Sequence, residues 1–250
     1  MASPIAPKVV ERFSEQEWVP PWIRYQHITR YQWAATVTDA VRGKHVLDAA
    51  CGSGYGTKIL RDAGAARVVG FDLEAAAIED ATLKYGDGFS VGDVTNLPVA
   101  TEAYDTYVSF ETIEHIPEEQ AYLREAVRVL RPGGMFFCST PNRAVTNPGT
   151  QISQKPFNPH HIREYTIEEF RAVLAPYFEI IDMYSQAHYG RTYAAFLDTI
   201  GRAMPMLAVR THQFRKLLGM PLCRMDQHYP QMFDEKTAPE YVIAVCRKRG

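Results

Sequence analysis

Two clusters of polar side chains in this chain have the types and spacing that chemistry needs. The first is Glu111-Thr112-Ile113-Glu114-His115, which follows an apolar run. Two carboxylates and an imidazole within five residues are costly to place beside a pocket unless they work. The second is Asn158-Pro159-His160-His161, in a loop rich in Asn, Pro and His. Three readings stay open. In one, Glu114 and His115 cap the next helix and touch solvent. In another, His115 takes a proton from an attacking hydroxyl, with His160 as the backup base. In the third, Glu111, Glu114 and His115 hold a hard divalent cation, and a downstream histidine supplies a fourth ligand. A cation lowers the pKa of an alcohol toward neutrality. Two carboxylates with two imidazoles suit Mg2+, Mn2+ or iron, and Mg2+ prefers more oxygen.

A different chemistry is written earlier in the chain. Val46-Leu47-Asp48-Ala49-Ala50-Cys51-Gly52-Ser53-Gly54-Tyr55-Gly56 is an apolar strand running into a glycine-rich turn. Glycines let backbone N–H groups approach a ligand with no Cβ in the way. A second apolar run ends in Asp72, 20 residues beyond Gly52, where a carboxylate can accept both hydroxyls of a ribose. Asp93 follows a third run and can take an adenine amino group. A nicotinamide dinucleotide would want Gly-x-Gly-x-x-Gly, but Thr57 stands at the third position. Asp48, opening the turn, suits a cationic cofactor better than a pyrophosphate. S-adenosylmethionine is such a cofactor, and Asp48 can help orient its ammonium end.

These residues fall at the ends of a regular alternation. Strands are expected over residues 45–50, 67–72, 89–91, 104–110, 135–139, 178–184 and 241–246, with helices over 23–41, 55–63, 74–84 and 118–130. Arg131-Pro132-Gly133-Gly134 stops the last of these helices. Thr166 and Glu169 form a capping box for another. Alternation of this kind predicts an open parallel α/β sheet with ligands at the carboxyl ends of its strands. The whole chain, 1–250, reads as one domain: an arm over 1–41, a cofactor-binding core over 42–186 and 239–250, and a helical cap inserted over 187–238. Breaks in the cap are expected at Pro205, Gly219 and Pro221.

The motifs together resemble those of the class I S-adenosylmethionine-dependent methyltransferases. They are Leu-Asp-x-x-Cys-Gly-x-Gly (47–54), Gly-x-Asp (70–72), Gly-Asp (92–93), Phe-Glu-x-Ile-Glu-His (110–115) and Arg-Val-Leu-x-Pro-Gly-Gly (128–134). The resemblance covers residues 44–186 and 240–247. It implies a Rossmann-like open seven-stranded sheet whose last strand is antiparallel. It implies cofactor contacts from Asp48, Ala50, Gly52, Gly54, Tyr55, Asp72, Leu73, Asp93, Val94 and Phe110. One departure is Ala50, where the family usually has glycine. The Glu-x-x-Glu-His pattern with a downstream His is similar to that of small-RNA 3′-end 2′-O-methyltransferases and some quinone O-methyltransferases. That likeness makes Glu111, Glu114, His115 and His161 the metal ligands. The stretches Glu11-Arg12-Phe13, Tyr25-x-His27-x-x-Arg30-Tyr31 and 158–165 are similar to bacterial enzymes of sugar and glycan biosynthesis.

Composition sets the outer limits. The chain has 250 residues, 46% hydrophobic and 22% charged, with a formal charge of −2. That argues against disorder and against binding bare nucleic acid by charge alone. Four scattered cysteines, no signal-peptide pattern and no apolar run of membrane-spanning length fit the cytoplasm. Between Ala187 and Arg224 the cap has Arg191, Arg202, Arg210, Arg215, Lys216 and Arg224 against one acid, Asp198. This bias suggests an anionic acceptor, a membrane surface, or a face for a second copy. The expected activity is S-adenosylmethionine-dependent O-methylation of a hydroxyl on a sugar or glycan, aided by Mg2+ or Mn2+. The alternatives are RNA 3′-end methylation, quinone or phenol methylation, and a non-catalytic binding subunit.

Overall fold

The computed structural model describes residues 21–204, 206–210, 229–235 and 237–250. Helix α1 (Pro21–Ala34) precedes β1 (His45–Ala49), α2 (Tyr55–Asp62), β2 (Arg67–Asp72), α3 (Ala75–Tyr85), β3 (Phe89–Val91) and β4 (Tyr104–Phe110). A 3-10 turn (Ile113–His115) leads to α4 (Glu119–Val129), β5 (Leu130–Pro141), α5 (Arg143–Thr146) and α6 (Ile167–Leu174). Then come β6 (Phe178–Gly190), α7 (Arg191–Ala203), β7 (Gln231–Met232) and β8 (Thr237–Lys248).

The strands form one sheet in the order β3-β2-β1-β4-β5-β8-β6-β7. β1 pairs in parallel with both β2 and β4, so the chain order reverses there. Such a reversal opens a crevice outside the carboxyl ends of the strands. β8 runs antiparallel to both β5 and β6, as expected of the last strand. The sheet has eight strands among the described residues, not seven. The extra one is β7, a two-residue edge pairing on β6.

Strand alternation divides the core in two. Leu47, Tyr107, Phe136 and Ala244 pack on the α4 and α6 side, with Tyr122, Leu123, Phe170 and Leu174. Their neighbours Val46, Val108, Phe137 and Val245 pack on the other side with Tyr31, Trp33 and Leu60 from α1 and α2. Period-two alternation between two apolar faces is what a sheet covered by helices requires.

Several boundaries differ from expectation; β5 runs over Leu130–Pro141 rather than 135–139, and β8 over Thr237–Lys248 rather than 241–246. α1 ends at Ala34, not near 41. Thr36 and Thr38 use their hydroxyls on local backbone groups, which competes with helix continuation. β6 does not stop at Tyr184 but pairs with β8 from Phe178↔Lys248 to Gly190↔Thr237. Residues 187–190, expected in the cap, therefore belong to the sheet, because the ladder satisfies their backbone groups. The cap is helical over α7 and residues 206–210, and then meets β7 as strand. The expected arm motif at residues 11–13 and the breaks at Pro205, Gly219 and Pro221 lie outside the described residues.

α1 lies against the glycine turn through one close approach. A Cβ on Gly56 would fall 2.2 Å from the Tyr31 ring. Gly56→Ala should cost about 1–3 kcal/mol through overpacking, read as a lower midpoint in thermal unfolding. An unchanged midpoint would mean that Tyr31 does not rest on this turn.

Candidate active site

The glycine turn is built around a buried carboxylate. Asp48, at the end of β1, is 0% exposed. One oxygen accepts the Tyr31 hydroxyl at 2.9 Å and the other the Thr57 hydroxyl at 2.6 Å. Burial pushes its pKa up to about 7, against the lowering effect of both hydroxyls. Asp48 therefore lies beneath the turn and braces it, each oxygen taken by a side-chain hydroxyl. The physical reason is desolvation: a carboxylate cut off from water takes the donors packed around it.

The chain leaves β1 in left-handed backbone. Ala50 has φ +56°, Gly52 +53° and Gly54 +82°. The glycine usual at position 50 thus suits the backbone as well as the pocket, and Ala50 carries the strain. Asp72, at the end of β2, accepts the Gly52 amide at 2.9 Å and the Glu74 amide at 3.0 Å. An ionised carboxylate offers about four acceptor positions, so it can hold this turn and still receive hydroxyls. Asp93 takes the Thr95 amide and hydroxyl on one oxygen, at 2.8 and 2.7 Å, and is exposed. Leu73 is exposed beside Asp72, while Val94 is buried. Tyr55 meets Tyr31 edge-on at 5.5 Å, and Phe110 meets it at 5.0 Å. Burial raises the Tyr55 phenol above its ordinary pKa. Nearly all the expected cofactor residues thus lie along the carboxyl ends of β1, β2, β3 and β4.

At the end of β4 the expected cluster divides. Glu111, with φ +52°, pairs with Arg30 at 2.8 Å and accepts the Ser139 hydroxyl at 2.7 Å. Arg30 is 1% exposed and also donates to Gln186 at 2.8 and 3.0 Å. Glu111 is thus engaged by the buried guanidinium and is not one of the three residues whose candidate ligand atoms converge.

Glu114, His115 and His161 do come together, with one candidate ligand atom from each all within 4.8 Å. Glu114 is fully buried. Its Oε2 accepts the Thr140 hydroxyl at 3.2 Å, and its Oε1 has no hydrogen-bond partner among the described residues. Burial, then the nearby Glu111 charge, raises Glu114 well above the usual carboxylate range. His115 Nδ1 lies 3.0 Å from the His160 carbonyl oxygen, to which it must donate. That puts the lone pair on Nε2, 4.0 Å from Glu114 Oε1. His161 Nδ1 donates to Glu164 at 2.6 Å, and Asn158 lies 3.0 Å from its Nε2. Carboxylate or carbonyl acceptors behind imidazoles are the usual support of histidine ligands. His160 enters this arrangement through its backbone carbonyl.

Sequence reasoning missed Thr57, Ser139, Thr140, Gln186 and Glu164. Thr57 stands where a dinucleotide glycine would be, and that departure was its signal. Glu164 lies three residues after His161, and the others carry no motif.

Comparison with known proteins agrees with this geometry. Residues 47–138 match the family model described as a methyltransferase domain. A probable S-adenosylmethionine-dependent methyltransferase of Mycolicibacterium smegmatis is 36% identical over 169 residues, 67% of this chain and 63% of that protein. The phthiotriol/phenolphthiotriol dimycocerosates methyltransferase of Mycobacterium tuberculosis is 34% identical over 151 residues, 55% of this chain and 56% of its own. The chain thus spans somewhat over half the length of these relatives. A solved S-adenosylmethionine-dependent methyltransferase from Mesorhizobium loti shares the fold, with a TM-score of 0.57 at 17% identity, over 87% of this chain and 98% of that one. Residues 47–138 are thus similar to a methyltransferase domain, and the sheet around them has the fold of solved S-adenosylmethionine-dependent methyltransferases.

Asp48 gives a test by pH. Its folded pKa, about 7, lies above the unfolded value near 3.8. Between these values the unfolded state loses the proton first, so this group's contribution to stability falls as pH rises from about 4 to 7. Asp48→Asn removes that titration. Relative to the native chain, the variant should gain on the order of a few kcal/mol of stability across this window in urea unfolding. A difference between the two proteins that stays constant with pH would show that Asp48 does not titrate there.

Proposed function

We propose that the protein is an S-adenosylmethionine-dependent O-methyltransferase in which Glu114, His115 and His161 hold a divalent cation beside the acceptor hydroxyl. The observation that carries this reading is the buried, unpartnered Oε1 of Glu114, which converges with two imidazoles next to the glycine-turn crevice. An unpaired buried carboxylate oxygen is expensive, and a cation would satisfy it. Two imidazole nitrogens and one oxygen suit Mn2+ or iron better than Mg2+.

S-adenosylmethionine supplies an electrophilic methyl group, and transfer then requires nucleophile, methyl and sulfur in line. Residues 50–54 present backbone N–H groups to the cofactor, Asp72 receives the ribose and Asp93 the adenine. The cation would lower the pKa of the acceptor alcohol. The His160 carbonyl keeps the His115 ring turned with Nε2 toward Glu114, while His161 is held between Glu164 at Nδ1 and the Asn158 side chain at Nε2. Tyr31, Tyr55 and Phe110 exclude water from the crevice beneath the cofactor.

A second reading has its own observation. The tautomer of His115, fixed by the His160 carbonyl, places a lone pair on Nε2. With no cation, that nitrogen accepts the hydroxyl proton directly. The acceptor is a hydroxyl, on a sugar or another alcohol. Arg30 and Tyr31, in the arm that resembles sugar and glycan enzymes, make internal contacts to Glu111 and Asp48.

Two measurements test the proposal. Asp72→Ala should weaken S-adenosylmethionine binding by about 1–3 kcal/mol in calorimetry, the cost of unpaired hydroxyls. Absence of any heat with the native chain would remove the methyltransferase reading. Chelation should abolish turnover and Mn2+ restore it, while His161→Ala should lose Mn2+ binding and keep cofactor binding. Full activity in chelator would leave His115 as the base.

A further inference from the structure

The three candidate ligands come from two separate pieces of chain. Glu114 and His115 sit on the turn after β4, and His161 follows 46 positions after His115 in a loop. A metal site needs its ligand atoms held to within about half an ångström, so the loop must be fixed against the turn. Glu164 orients the His161 ring, but its other bonds, to Thr146 and Asn147, run to the end of α5.

The turn receives the loop through a series of cross-links. The Glu114 carbonyl accepts the Ile162 amide at 2.8 Å and the Arg163 amide at 3.3 Å. Arg163 continues the contact with its side chain. One guanidinium nitrogen donates to the Pro117 carbonyl at 2.8 Å, and another pairs with Glu119 at 2.7 Å. Glu119 opens α4, and the same carboxylate oxygen accepts the Tyr165 hydroxyl at 2.6 Å. An isolated surface ion pair is worth little. Here Arg163 and Glu119 are only 23% and 22% exposed, the guanidinium holds a carbonyl and a carboxylate together, and the buried Tyr165 fixes the carboxylate. A planar fork on two acceptors sets orientation as well as energy. Arg163 lies two residues after His161, and its acceptors lie two and four residues after His115. The clamp therefore spans the gap between the two halves of the cluster.

We propose that Arg163 is a positioning residue for the cation: it locks the His161 loop to the turn carrying Glu114 and His115, and so sets the spacing of the three ligand atoms. This inference rests on the reading that these side chains hold a divalent cation. It is tested on the full chain, stripped with chelator and titrated with Mn2+ by calorimetry, with S-adenosylmethionine titrated separately. Arg163→Met keeps the side chain's bulk and loses its donors; it should bind Mn2+ about ten-fold more weakly and the cofactor as the native chain does. Arg163→Lys keeps a charge for Glu119 and should recover most of that loss, ending within about three-fold of native. Thermal melts without metal check that the variants fold. Glu119→Gln serves where Arg163→Met does not fold: it leaves Tyr165 an acceptor, removes the guanidinium's charge partner, and should weaken Mn2+ about three-fold. Native Mn2+ affinity in Arg163→Met or Glu119→Gln, an equal loss of cofactor affinity, or no recovery in Arg163→Lys would overturn the proposal. Failure of the native chain to bind Mn2+ would instead overturn the cation reading, and this proposal with it.

Discussion

A carboxylate with no water around it organises this molecule. Asp48 ends the central strand, and its two oxygens are claimed by hydroxyls from two different helices. Tyr31 brings α1 to the turn, and Thr57 brings the first turn of α2. Each hydroxyl gives up water to reach a buried acceptor, and that exchange favours only one arrangement of strand, turn and helices. The same contacts explain why a threonine, not a glycine, follows the turn.

The neighbouring residue of α1 does the corresponding work across the crevice. Arg30 reaches Glu111 just after β4, Ser139 on β5 and Gln186 on β6. Successive residues of a helix point about 100° apart, so Arg30 and Tyr31 contact different strands from one backbone. A buried ion pair of this kind is weak evidence for stability, but it fixes orientation. It engages Glu111, while Glu114 converges with the imidazoles. Ala50 and Glu111 both leave their strands in left-handed backbone. Such strain costs roughly 1–2 kcal/mol per residue and persists where the surroundings dictate it.

The imidazole cluster shows the same division between direct and supporting groups. Glu164 and the His160 carbonyl set which nitrogen of each ring carries the lone pair. Neither is a candidate ligand, yet without them the rings could turn or exchange tautomers.

The sequence by itself determined the alternation of strands and helices, the glycine turn, the carboxylates at positions 72 and 93, and the paired histidine and glutamate motifs. These are legible because local spacing dictates them: apolar period, turn chemistry and position at a strand end. Only the tertiary structure decided the rest. Glu111 and Glu114 look alike in sequence, and a guanidinium 81 positions earlier separates them. Asp48 reads as a ligand from its motif, and only its burial shows that it also braces the turn. Residues 187–190 lack a strand pattern of their own and became strand because β8 offered partners. Each outcome turns on which distant group fills a buried hydrogen-bonding position, and no local pattern contains that information.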